Sequence, residues 1–93
     1  MGKTKEQVES KVEEVLSKPY RLDLHNDDFN SFDWVITCLI KVCEHEYEQA
    51  YQCALLVHNN GICDVKYGDY ETISEMKDRL ANAGLSVTLE VNA

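Results

Sequence analysis

From residue 20 onward, the pattern of apolar and polar residues divides the chain into six elements. Tyr20, Leu22 and Leu24 alternate with polar residues, which is typical of a half-buried strand. Residues 62–67 and 85–91 alternate in the same way and predict two further strands. One face of the second strand is expected to carry Cys63, Val65 and Tyr67.

Apolar residues spaced three and four apart predict three helices, at residues 32–44, 46–60 and 71–83. Asn30 is the expected N-cap of the first helix, with Asp33 in the position of a capping-box partner. The inward residues of this helix are expected to be Phe32, Val35, Ile36, Leu39, Ile40 and Cys43.

The predicted order is therefore strand, helix, helix, strand, helix, strand. This order indicates one α+β domain over residues 19–93, in which a three-stranded antiparallel sheet packs against three helices. Residues 1–18 are rich in Lys and Glu, and Pro19 would end any transient helix that forms there. We therefore expect these residues to be a flexible N-terminal extension.

Net charge narrows the class of partner. With Lys+Arg 9 and Asp+Glu 17, the formal charge is −8. A surface this acidic repels phosphate backbones and anionic lipid, so we expect no nucleic acid and no membrane among the partners. The four cysteines form no Cys-x-x-Cys pair, and the first residues have no apolar run. We therefore expect reduced, buried cysteines and a cytoplasmic protein.

The turn after the first strand collects oxygen acceptors. Asn26, Asp27 and Asp28 follow each other directly, and an apolar helix face begins at Phe32. Such a corner suits a ligand that is cationic at one end and apolar beyond it. The alternative is purely local, with these side chains capping the turn and the helix.

Catalytic signatures are weak. The serines lack a Gly-x-Ser-x-Gly setting, and the glycines are scattered. His25, His45 and His58 lie far apart in the sequence. A metal-dependent enzyme that uses His25 and His58 remains a rival hypothesis, and a structural or ribosome-associated interaction module is another. We expect no catalytic residue, no metal and no cofactor.

Several motifs together resemble the ClpS adaptor family. These are Asn26-Asp27-Asp28 followed by an aromatic residue, and Val57-His58 near the end of the second helix with Gly61 behind it. The interval between the two motifs fits the family without a gap, and the likeness extends over about residues 19–91.

The resemblance implies a non-catalytic, monomeric adaptor. Family members bind proteins that begin with a free, large hydrophobic residue (Leu, Phe, Tyr or Trp) and deliver these N-degron substrates to a Clp-type AAA+ unfoldase. By the same resemblance, the substrate amino group is bound by Asn26, Asp27 and His58, and Asp28 braces the turn. The apolar pocket is implied to consist of Asn30, Phe32, Val35, Ala54, Val57 and Leu85.

Three residues depart from the family pattern. Phe32 and Ala54 stand where Met is common, and Ser31 occupies the expected first helical position, where Pro is common. Losing Met bulk at residue 54 is expected to deepen the pocket, while Phe32 narrows its mouth.

Overall fold

The computed structural model describes residues 17–92, and the elements between residues 20 and 91 follow the predicted order. They are β1 (Tyr20–His25), α1 (Phe32–Cys43), α2 (Tyr47–Asn60), β2 (Ile62–Gly68), α3 (Tyr70–Asn82) and β3 (Ser86–Val91). Residues 1–16, which hold most of the predicted extension, lie outside the described residues. The predicted α+β class is confirmed.

Strand β1 is the middle strand of an antiparallel sheet with the order β2-β1-β3. Because it pairs on both edges and is covered by helices on one face, Leu22 and Leu24 are almost fully buried. Asp23 points to the opposite face and is also buried, and it forms an ion pair of 3.1 Å with Arg21.

Strand β2 contains a bulge that the sequence did not predict. Leu22 lies opposite Lys66 and the next residue, Asp23, lies opposite Asp64, so Val65 is the extra residue. The bulge shifts the alternation of side chains, and Tyr67 comes to share a face with Asp64, to whose carboxylate its hydroxyl donates a hydrogen bond. The prediction that Tyr67 lies on the side of Cys63 and Val65 is therefore wrong.

Each helix buries part of the apolar stripe that its spacing predicted. In α2, Ala50, Cys53, Ala54 and Val57 are buried. In α1, Ile40 is 37% exposed, and Val42 is buried instead. All four cysteines are free and buried, as predicted. Within residues 17–92, no helix is long and apolar enough to cross a bilayer.

Candidate functional site

A cavity of about 460 Å³ lies where the turn between β1 and α1 meets the end of α2. Its polar lining comes from the turn and from His58, and its apolar lining comes from the facing sides of α1 and α2. The lining residues are Asn26, Asp27, Asp28, Asn30, Phe32, Val35, Ala54, Val57 and His58. The fold thus brings together eight of the nine residues that the family resemblance implied, and adds Asp28.

Asp27 organises the turn. Its Oδ1 accepts hydrogen bonds from the backbone N–H groups of Phe29, at 2.9 Å, and Asn30, at 2.8 Å. Its Oδ2 accepts from the side-chain amide of Asn30 at 2.8 Å and, more weakly, from the Ser86 hydroxyl at 3.5 Å. A carboxylate offers about four acceptor positions, so this side chain is almost fully occupied by the protein itself.

These bonds also set the charge state of Asp27. Partial burial acts to raise its pKa, but the hydrogen bonds from Asn30, Phe29 and Ser86 outweigh burial and hold the pKa below its ordinary value. The Asp27 carboxylate is therefore ionised at neutral pH, with its charge directed into the turn.

Asn26 joins the turn to the end of α2. Its backbone N–H donates to the Gly61 carbonyl at 2.9 Å. Gly61 ends α2 with a φ of 89°, a left-handed conformation that glycine adopts without strain. This connection brings the Asn26 side chain near His58, which lies in the last turn of α2.

The start of α1 differs from the prediction. Ser31, and not Asn30, is the N-cap, and its hydroxyl accepts from the Trp34 N–H at 3.1 Å. Ser31 is therefore not the first helical position, which is Phe32. The side chain of Asn30 has a different role, since its amide N–H groups donate to Asp27 and to the Gly84 carbonyl, both at 2.8 Å.

A second contact holds the same region to the end of α3. The indole N–H of Trp34 donates to the Ala83 carbonyl at 3.0 Å, next to the bond between Asn30 and Gly84. The turn is thus fixed from both sides, by the end of α2 and by the junction of α3 and β3.

Three polar side chains at the cavity, unlike that of Asp27, are not used in hydrogen bonds within the described residues. Within the part of the chain that the structure describes, the side chains of Asn26, Asp28 and His58 make no hydrogen bond to protein. Asp28 was expected to brace the turn, but Asp27 does so. The carboxylate with free acceptor capacity at the cavity is therefore that of Asp28.

The apolar half of the cavity is lined by Phe32 and Val35 from α1 and by Ala54 and Val57 from α2. Ala54 and Val57 are 3% and 5% exposed, and the short Ala54 side chain leaves space between the two helices. Phe32 is partly buried, and its ring packs edge-on against the exposed Tyr51, with centroids 5.5 Å apart. Phe32 therefore marks the outer edge of the cavity.

Leu85 is the residue that the structure does not bring to this lining. It follows α3 directly, and its N–H donates to the Leu80 carbonyl at 3.1 Å. This bond orients it into the core, where it is 4% exposed. The sequence predicted Leu85 within the third strand, but it lies one residue before β3.

The other two histidines have structural partners. His25 Nε2 lies 2.8 Å from the Thr88 hydroxyl in the sheet. His45 is buried and its Nε2–H donates to the Val65 carbonyl at 2.6 Å. Among residues 17–92, no group of three or more His, Cys, Asp or Glu side chains is placed to hold a metal ion.

One Cys–His contact went unnoticed in the sequence. Cys53 lies beside both Cys63 and His45, and the proximity of Cys63, and to a lesser extent of His45, lowers the pKa of the Cys53 thiol against the opposing effect of burial. The Cys63 thiol itself donates to the Asp64 carbonyl at 3.5 Å. These residues belong to α2, β2 and a loop, so no spacing rule signals the contact. Cys53 and His45 are 8% and 5% exposed, and a substrate therefore has no access to the pair.

With this geometry established, comparison with known families identifies the chain. The family model described as "ATP-dependent Clp protease adaptor protein ClpS" matches residues 15–88. Because the match covers most of the chain, the protein belongs to the ClpS family.

Curated relatives agree. The chain is similar to a protein named ATP-dependent Clp protease adapter protein ClpS from Oleidesulfovibrio alaskensis, with 41% identity over 61 residues. That match covers 63% of this chain and 59% of the length of the relative. A protein of the same name from Campylobacter jejuni is 33% identical over 97 residues, covering 97% of this chain and 98% of the relative.

A solved structure shares the fold. It is described as Agrobacterium tumefaciens ClpS2 bound to L-phenylalaninamide. The TM-score is 0.69 at 24% identity, and the match covers 80% of this chain and 96% of that one.

Proposed function

We propose that this protein is an adaptor for N-degrons. It binds proteins that begin with a free, large hydrophobic residue (Leu, Phe, Tyr or Trp) and delivers them to a Clp-type AAA+ unfoldase for degradation. The observation that carries this proposal is the cavity, in which unoccupied polar side chains lie directly beside an apolar slot between α1 and α2.

A free chain start fits the polar part of the cavity. An α-amino group has a pKa near 8, so it is mostly protonated at neutral pH, and it then has three donors and no acceptor. Asn26, Asp28 and His58 offer an amide oxygen, a carboxylate and an imidazole nitrogen for these three donors. Bonds in which both partners are charged are the stronger kind, so the carboxylate contributes most.

The two aspartates divide the work in this proposal. The family resemblance assigns the amino group to Asp27, but four hydrogen bonds within the protein leave its carboxylate little capacity. Asp27 therefore holds the turn, and any contact with substrate is secondary. Asp28 provides the charge that faces the amino group.

The apolar slot receives the first side chain. Burying a Leu or Phe side chain contributes roughly 1.5–3 kcal/mol, which is enough to select for apolar first residues. Phe32, Val35, Ala54 and Val57 provide the walls. The ligand of the ClpS2 structure, L-phenylalaninamide, has the same two features, a free amino group and a large apolar side chain.

The remaining parts of the proposal follow the family. The adaptor is a cytoplasmic monomer without catalytic activity, cofactor or metal, and it does not bind nucleic acid. Its partner is a Clp-type unfoldase, which residues 1–18 engage as an N-terminal extension.

One pair of titrations tests the proposal. A fluorescent peptide that begins with Leu is compared with its N-acetylated twin. We expect acetylation to weaken binding at least tenfold, because it removes the charge and leaves the acceptors unpaired. Binding that ignores acetylation would contradict the proposal and favour a general interaction module.

The size of the slot predicts a preference among first residues. Because Ala54 leaves space between the helices, we expect peptides that begin with Phe or Trp to bind at least as well as those that begin with Leu. The variant Ala54→Met should weaken the aromatic peptides more than the Leu peptide. Leu peptides that bind tenfold tighter than both aromatic ones to the unmodified protein would refute this.

A further inference from the structure

A row of aromatic side chains leads away from the edge of the cavity along α2. The Phe32 ring packs edge-on against Tyr51, at an interplanar angle of 81°. Tyr51 in turn stacks on Tyr47, with centroids 6.3 Å apart and an interplanar angle of 26°. We call Phe32, Tyr51 and Tyr47 the aromatic row. It begins at a residue that lines the cavity and ends one helical turn beyond Tyr51.

The outer part of the row belongs to the surface and not to the core. Tyr47 is 61% exposed and Tyr51 is 38% exposed, whereas Ala50 and Ala54, on the inner side of α2, are buried. Neither tyrosine hydroxyl makes a hydrogen bond within residues 17–92. A shallow cavity of about 370 Å³ lies beside the row. It is lined by Tyr47, Glu48, Gln49, Tyr51 and Gln52.

The exposed charged side chains of residues 44–52 are all acidic. Glu48 lines the shallow cavity, and Glu44 and Glu46, just before α2, are exposed. Exposed aromatic faces attract guanidinium and ammonium groups, and neighbouring carboxylates strengthen that attraction. The surface therefore suits a cationic side chain and disfavours an acidic one.

We propose that the aromatic row and the shallow cavity beside it form a second subsite, which binds the peptide segment behind the first residue and prefers Arg or Lys there. The inference rests on the proposed function, because it needs a peptide whose first residue occupies the main cavity. The occupant is the peptide bound in the main cavity, because Phe32 both lines that cavity and begins the aromatic row, so the two surfaces are continuous.

The length of the row indicates which positions are selected. An extended chain advances about 3.3–3.6 Å per residue. A peptide that passes Phe32 and then follows the ring spacings of 5.5 and 6.3 Å reaches Tyr51 and Tyr47 with roughly its second to fifth residues. The first residue alone is too short to touch Tyr47.

The test compares two peptides that begin with the same Leu-Ala and differ afterwards, one with Arg and one with Ala at positions three and four. Titrations are done in about 0.15 M salt, where the Debye length is about 8 Å and long-range attraction to the net charge is screened. We expect the Arg peptide to bind about two- to fivefold more tightly to the unmodified protein.

Two variants separate the aromatic row from general electrostatics. Tyr47→Ala should abolish the preference for Arg, and Tyr47→Phe should retain it. Tyr70→Ala is the matched control, because Tyr70 is a similarly exposed tyrosine on α3 that packs against Tyr20 at a centroid distance of 5.5 Å. It should keep the full preference. A preference that survives Tyr47→Ala overturns the inference.

L-phenylalaninamide serves as the reference ligand, since it reports the first-residue cavity without reaching Tyr47. If it and the Leu peptides fail to bind the unmodified protein, the proposed function fails. If they bind but Arg and Ala peptides are equivalent, the second subsite alone is refuted.

Discussion

Two turns in this protein make the same connection, from the end of a strand to the start of a helix, and they do so at different lengths. Between β2 and α3 there is a single residue, Asp69, whose carboxylate caps α3 by accepting the Thr72 N–H at 2.8 Å. Between β1 and α1 there are six residues, 26–31. In this longer turn, the side chains that hydrogen-bond within the protein and hold the turn are those of Asp27, Asn30 and Ser31.

The difference shows how a binding surface can be recognised. In the short turn the one acidic side chain is used by the backbone, so nothing remains for a ligand. In the long turn, structure takes up some polar side chains and leaves Asn26 and Asp28 unoccupied beside a cavity. Polar residues that a turn does not need for its own shape are the candidates for function.

The largest expected effect comes from removing the unoccupied carboxylate. Asp28→Ala should weaken binding of a Leu-initiated peptide at least tenfold, since a bond to a charged group contributes about 1.5–3 kcal/mol. The thermal midpoint should stay unchanged, because Asp28 bonds to nothing within the described residues. Fluorescence titration and thermal unfolding measure the two quantities. Unchanged affinity would remove Asp28 from the site.

Asp27→Ala should affect both quantities. The turn loses the acceptor of its N–H groups, so we expect a loss of about 1 kcal/mol in the free energy of unfolding, moderated by partial exposure of the carboxylate. Affinity should fall about three- to tenfold, because Asn26 and Asp28 are less well positioned. Urea unfolding and titration test this, and a loss of affinity with full stability would show that Asp27 contacts substrate directly.

The two caps should affect stability alone. Ser31→Ala removes the N-cap of α1 and should lower the free energy of unfolding by about 0.5–2 kcal/mol. Asp69→Ala removes the cap of α3 and should lower stability in the same direction. Peptide affinity should be unchanged in Asp69→Ala, which therefore serves as the control for Asp28→Ala. A loss of peptide affinity in Asp69→Ala would contradict the view that the short turn has only a structural role.

The smallest expected effect is on how the free energy of unfolding declines at acid pH. The Asp69 pKa is lowered chiefly by the Thr72 backbone N–H, and the Asp27 pKa is lowered by its hydrogen bonds, which outweigh burial. Because both folded-state pKa values are depressed, their stabilisation is present above the ordinary aspartate pKa of about 3.9 and is lost as pH falls through the folded values. Urea unfolding from pH 6 to pH 2 should show a shallower decline for Asp27→Asn than for the unmodified protein. An identical decline would contradict the assignment.

How much of this could be predicted differs between elements. The alternation around Leu22 and the helical spacing around Ala54 are local patterns, so the sequence predicted the order of the elements well. The bulge at Val65 has no glycine or other local signal, because it is set by pairing with β1. The side of Tyr67 was therefore predicted wrongly.

The site shows the same limit. The sequence placed acceptors and an apolar helix face together, but it could not say which of two adjacent aspartates turns inward. Three of the four bonds that Asp27 accepts come from Phe29 and Asn30, a local pattern that either aspartate could in principle form with the residues after it. The contacts that distinguish the two come from Ser86 and from the bond between Asn30 and Gly84, more than fifty positions away. Leu85 was misplaced for a related reason, since its direction is set by the bond to Leu80 at the end of α3.

The fastening of the long turn has a consequence for biosynthesis. Every residue that lines the cavity lies between positions 26 and 58, yet one side of the turn is held by groups of Ala83, Gly84 and Ser86. A nascent chain that ends at residue 68 would contain all of the lining residues but not the contacts from residues 83–86 that hold the turn. If the proposed function holds, we therefore expect ligand binding at this cavity to require synthesis through at least residue 86.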